Sequence, residues 1–159
     1  MRHSIEVGFG FGLTSSVITT LGLIVGLHSS THSKPAVIGG VLTVAIADAF
    51  SDALGIHISE ESEGRHAARE IWEATFSAFI TKFVFTLTFV APIICFDLNN
   101  AIAVSLIYGL TLLGVFSFYM ARKQKASPSK IIGEHLGIAL LVVAMAHYAG
   151  DWISFRFNQ

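Results

Sequence analysis

Five stretches of this chain are long and apolar enough to cross a hydrocarbon core as helices. A core about 30 Å thick needs about 20 apolar residues in helical form. Residues 7–27 and 98–121 carry no charge. Residues 35–58 are apolar except for Asp48, Asp52 and His57, and residues 74–96 are interrupted only by Lys82. Residues 131–155 are apolar around Glu134, His135, His147 and Asp151. Lipid offers no partner to backbone N–H and C=O groups, so only helices and closed barrels span it. A barrel would show short alternating segments; these runs are continuous. Charged residues make up 13% of the chain, about half the usual share of a soluble domain. The predicted fold is an all-α integral membrane protein, a single membrane domain of five spans. Its first span is too long for a signal-peptide core and lacks a small-residue cleavage site, so it is read as retained. The one cysteine, Cys95, excludes an internal disulfide framework and a Cys-rich zinc site. The net charge of -1 gives no reason to expect a nucleic-acid partner.

The connections fit that count. Residues 28–34, 97–100 and 122–130 read as short links, with Pro35 suited to a first helical turn. Residues 59–73 form the one charged segment. With the N-terminus in the cytoplasm, Arg2, Arg65, Arg69, Arg122, Lys123, Lys125 and Lys130 lie inside, and Lys34 and Arg156 outside. That asymmetry favours this orientation. Trp72 and Trp152 suit the interfacial belts. Gly8 with Gly12, Gly22 with Gly26 and Gly133 with Gly137 are four apart. Such spacing permits close helix approach, within one chain or between two.

Asp48 and Asp52 are four apart, so they share a helical face, bordered by Ser51 and Gly55. At 1.5 Å per residue, they lie ~15 Å and ~9 Å from the inner end of their span. One charge at that depth costs roughly 2.5–3.5 kcal/mol on insertion scales, and two like charges cost more. A cation, bound protons or a basic partner must offset this. Carboxylate oxygens suit hard or borderline divalent ions, and the first span offers Thr14, Ser15, Ser16, Thr19 and Thr20 nearby in depth. The alternative is a structural pair neutralised by Lys82 or by hydroxyls. Lys82 could also hold an aspartate while the site is empty and yield to the ion. An intramembrane aspartic protease would need its acids to converge from separate elements. These two lie one turn apart on one helix, so no enzyme is expected.

A second cluster follows. His57, Glu60 and Glu61 share a face if the helix continues inward, and could guide an ion to the site. Glu63, His66, Glu70 and Glu73 recur at helical spacing, and His with Glu on one face can hold a metal. Arg65 and Arg69 interleave with them and favour ordinary ion pairing. His28 and His32, four apart on the outer link, could bind an exiting ion or form a surface pair with no role. Glu134 and His135 reach the inner interface. His147 and Asp151, four apart near the outer end, could relay protons or cap the helix.

Two segments resemble the vacuolar iron transporter family. Thr20-Leu21-Gly22-Leu23-Ile24-Val25-Gly26-Leu27 is close to that family's first-span pattern. Ala49-Phe50-Ser51-Asp52-Ala53-Leu54-Gly55-Ile56-His57-Ile58-Ser59 is similar to its second-span motif of small residues, Ser, Met, Ala, Gly, Glu, Tyr, Val and Ser. The five-span count with a charged inner segment agrees. The resemblance implies a five-helix fold of its own kind, a homodimer, and a pathway lined by spans 1 and 2 of both subunits. It also implies export of ferrous iron or manganese from the cytoplasm against protons. The carry-over is partial. The family's span-1 acid falls at Ser15 and its span-2 methionine at Asp52. The motif's Glu and Tyr fall at Ile56 and His57, and the large Glu-rich cytoplasmic domain is reduced to residues 59–73.

The expectation is therefore a homodimeric, proton-coupled transporter of a divalent metal ion, with no organic cofactor. Asp48, Asp52 and Ser15 hold the ion, and His57, Glu60 and Glu61 guide it. The membrane would be the cell membrane in a prokaryote or a vacuole-type membrane in a eukaryote. The competing expectation is a membrane scaffold or metal-binding protein that moves nothing. A third is a carrier or channel for another solute, with the aspartates paired to Lys82.

Overall fold

The computed structural model describes residues 3–157; Arg2, counted above among the inner charges, lies outside them. Six helices follow in order: α1 (His3–Thr31), α2 (Lys34–Ser62), α3 (Ala68–Thr88), α4 (Val90–Cys95), α5 (Leu98–Lys123) and α6 (Pro128–Phe157). Among the described residues the regular structure is all helical. With α3 and α4 taken together, five helical segments are long and apolar enough to cross a membrane.

The boundaries follow local chemistry. His32 takes a positive φ of 49° and stops α1. Ser33 caps α2, its hydroxyl accepting the Ala36 N–H at 3.4 Å, with Pro35 in the first turn. Gly64, at φ 61°, follows the end of α2, where a left-handed residue is cheapest as glycine. Glu70 reaches back to accept the Ala67 N–H at 3.0 Å, half of a capping box. Asp97 caps α5 through the Asn100 N–H at 3.2 Å.

Two details go beyond the span count. Within the charged segment 59–73, α2 runs on to Ser62 and α3 starts at Ala68. Only residues 63–67 link them, because Glu60 and the charges of α3 find partners at the helix ends. The third span is not one straight helix. It breaks at Phe89, between α3 and α4. Pro92 has no N–H to donate and its ring crowds the carbonyl four residues earlier.

α1 is the central element, packed against α2, α3, α5 and α6. Glycines bring it close to two neighbours. A Cβ on Gly12 would lie 2.6 Å from the Ala78 carbonyl oxygen, so α1 and α3 touch through backbone there. A Cβ on Gly150 of α6 would lie 2.5 Å from the Gly26 carbonyl oxygen. The Gly8/Gly12 and Gly22/Gly26 pairs thus serve contacts within this chain. Gly133 and Gly137 face open space. Most of α6 is exposed, with Leu141, Met145, Tyr148 and Trp152 outward, as for a lipid-facing helix.

α2 is buried on one side only. Val37, Val41, Ala45 and Ala49 have no exposure. Its other side carries a stripe of small exposed residues four apart: Gly39, Thr43, Ala47, Ser51 and Gly55. A Cβ on Gly39 or Gly55 would meet nothing within 4 Å. Asp48 and Asp52 sit at the border between the buried side and this stripe.

Candidate ion site

Three helices meet at Lys82. It lies in α3, fourteen residues after the helix starts, and its side chain is 1% exposed. Asp48 is the central residue of α2, fourteen residues from either end, or ~21 Å along the axis. Ser15 lies near the middle of α1. All three therefore fall at mid-depth of helices long enough to span a bilayer.

The Lys82 ammonium donates to Asp52 Oδ2 at 2.5 Å and to Ser15 Oγ at 2.7 Å. It also forms an ion pair with Asp48 Oδ2 that lacks hydrogen-bond alignment. The Ser15 hydroxyl passes its own proton on to Asp52 Oδ2 at 2.6 Å. Three oxygens from two helices thus converge on one cationic nitrogen from a third. The formal charges do not cancel: two carboxylates face one ammonium. The site is not sealed, since Asp48 keeps 31% side-chain exposure and Asp52 18%. That opening is on the small-residue side of α2.

Such an arrangement can exchange one cation for another. Its oxygen donors are of the type that hard and borderline divalent ions select. The excess carboxylate charge leaves room for a proton or for a cargo of higher charge than the lysine. Among the described residues, no group of three or more His, Cys, Asp or Glu side chains is placed to hold a metal. An ion here would rest on two carboxylates and a hydroxyl of one chain.

Lys82 stands in the sequence as the single charge of its span, but nothing local shows which helix it meets. The polar seam continues one turn further on, where Thr20 Oγ1 and Thr86 Oγ1 are 3.5 Å apart, both fully buried.

The other predicted residues are placed as follows. His57 Nδ1 pairs with Thr75 Oγ1 at 3.0 Å, and its ring packs on Trp72. Glu60, only 8% exposed, meets His66 Nδ1 at 2.7 Å. Glu61 and Glu63 are exposed. Arg69 pairs with Glu73 at 2.9 Å, and Ser4 of α1 also donates to Glu73. Glu70 is used as a cap. His57 and Glu60 are therefore drawn to different partners on the α3 side. Glu134 lies 3.9 Å from Lys130, and His135 Nδ1 meets Ser117 Oγ at 2.8 Å. At the far end His147 joins Ser29 Oγ (2.5 Å) and Asp151 (3.4 Å). That chain spans α1 and α6. His28 Nε2 pairs with Asn99 at 3.0 Å, and its ring tilts against His32.

No family model matches the chain, and no curated protein matches it.

Proposed function

We propose that this protein is a membrane transporter of a divalent cation, of the ferrous iron or manganese kind, exchanged against protons. Asp48, Asp52 and Ser15 supply the ligand oxygens. Lys82 is the tethered cation that occupies their meeting point between cargoes. The observation carrying this reading is the convergence of two mid-depth carboxylates and a hydroxyl on a buried ammonium, with one negative charge left over. Intramembrane acids are expensive and mark ion paths by default. Protonation of an aspartate would release the ion, and the returning proton would restore the pair with Lys82.

We further propose a homodimer joined along α2. The stripe Gly39, Thr43, Ala47, Ser51 and Gly55 is exposed and has the spacing by which membrane helices approach closely. A second copy there would shield Asp48 and Asp52 from lipid and bring four carboxylates to the shared axis. This arrangement agrees with the vacuolar iron transporter resemblance of the first two spans. The same resemblance gives the direction, export from the cytoplasm, and the Lys and Arg asymmetry puts the N-terminus on that side.

The test is metal flux in proteoliposomes loaded with a metal-sensitive dye. Asp48→Asn with Asp52→Asn should abolish uptake of manganese and the accompanying proton flux. Unchanged flux removes the mechanism. A second reading has its own support: Lys82 already sits where the cargo would go, as in a structural ion pair of a scaffold that moves nothing. Lys82→Gln separates the two. A competing cation predicts tighter manganese binding in the variant, whereas a structural pair predicts only lost stability.

A further inference from the structure

We infer that α4 is a gate between the ion site and the aqueous phase at its own end of the bundle, and that Lys34 is its latch. This rests on the reading of the site as a point on a pathway. Beyond Lys82, the chain presents Thr86, Phe89 and Ile93 at helical spacing, all without exposure. Thr86 with Thr20 extends the polar seam by one turn. The seam then ends. Phe89 and Ile93 belong to the apolar core of the bundle, together with Ile24 of α1 and Val37 and Val41 of α2, and these five have no exposure. A hydrophobic constriction of this kind stops ions by excluding water.

The helix breaks at this plug. Phe89 lies outside both α3 and α4, at the join between them. Pro92 removes one hydrogen bond that would otherwise stiffen the junction. α4 is only six residues long, so it can turn about Phe89 as a unit.

α4 packs on α5 as well as on α2, and at its far end one side chain ties it to α2. Lys34, the first residue of α2, donates from Nζ to the Ile94 carbonyl at 3.2 Å and the Phe96 carbonyl at 2.9 Å. Helix C-termini leave such carbonyls without intrahelical partners, and a cation there is favoured. Lys34 thus ties α4 to α2 across the plug. The opposite half of the span has no matching break, since α3 is continuous from Ala68 to Thr88. Releasing Lys34 would let α4 swing, draw Ile93 from Val37 and Val41, and wet Thr20 and Thr86.

The test uses a membrane-impermeant thiol reagent on the full chain in vesicles. Cys95, the only cysteine, is changed to Ser, and Thr86→Cys is introduced below the plug. Labelling should be slow in that chain. It should rise by about tenfold or more with Lys34→Met, which removes both charge-assisted hydrogen bonds to α4. Lys34→Arg, which keeps the donors, should stay near the slow rate. A cooperative unfolding transition of the Lys34→Met chain in detergent micelles reports that the fold is intact. Unchanged labelling at position 86 in a chain that unfolds cooperatively overturns the gate. Metal flux in the same vesicles keeps the two readings apart. Flux with unchanged labelling removes the gate and leaves the site; raised labelling without flux leaves the gate and removes the cargo.

Discussion

Replacing Lys82 by Met keeps most of the side chain's apolar length and removes only the ammonium. The consequence follows from the geometry. Asp52 would lose a 2.5 Å partner and Asp48 its ion pair, while Ser15 would keep its bond to Asp52. Two carboxylates would then share one face at mid-depth without a counter-charge. Removing one partner of a buried pair costs about 3–5 kcal/mol. Asp48 is 31% exposed, so solvent screening places the figure at the lower end, about 3 kcal/mol. For a chain of this size that is a fall of about 6–12 °C in Tm. Adding Asp52→Asn removes one of the stranded charges, so the double variant should regain part of the loss. The assay is thermal unfolding in detergent micelles of wild type, Lys82→Met, Asp52→Asn and the double variant. The coupling should exceed about 1 kcal/mol, within the range for residues in direct contact. If Lys82→Met matches wild type, or the two changes add to within about 0.5 kcal/mol, the three groups do not form one charged unit.

The backbone contact beside the site gives a second expectation. In Gly12→Ala the new Cβ would lie 2.6 Å from the Ala78 carbonyl oxygen and 3.1 Å from the backbone nitrogen of Lys82. Prising α1 from α3 should cost about 1–3 kcal/mol, whereas Gly137→Ala, where a Cβ meets nothing within 4 Å, should be neutral or gain up to about 1 kcal/mol, as unfolding in micelles would show. On the α2 stripe, Ser51→Leu should convert the proposed dimer to monomer without a large change in monomer unfolding, read by cross-linking and by mass in solution. Asp97 titrates below its ordinary 3.8 because the Asn100 backbone N–H, and then the Asn100 side chain, hydrogen-bond its carboxylate. A lowered carboxylate stabilises fully above its ordinary value and loses that contribution as pH falls through the lower folded one. The stability advantage of wild type over Asp97→Asn should therefore be complete at pH 7 and shrink in acid below about 3.8, measured by unfolding across a pH series.

What the sequence determined is the number of long apolar helices and the depth of their charges. Hydrocarbon demands about 20 apolar residues per span, so composition alone marks 35–58 as a span with Asp48 and Asp52 inside it. The four-residue interval puts both on one face whatever surrounds them. Partners are another matter. Ser15, Asp52 and Lys82 are far apart in the chain and come together where α1, α2 and α3 pack on one another, with Gly8 and Gly12 letting α1 lie against α3. Local pattern holds no record of which helices touch. The same limit holds for residues 57–73, where helical spacing grouped His57, Glu60 and Glu61 apart from Glu63, His66, Glu70 and Glu73 but named no partner on another helix. Packing instead gives His57 to Thr75 and Glu60 to His66, because a buried polar group takes whichever partner the neighbouring helix offers. The break at Phe89 was hidden for a related reason: hydropathy is blind to backbone hydrogen bonding, so Pro92 leaves the apolar run unbroken while it interrupts the helix.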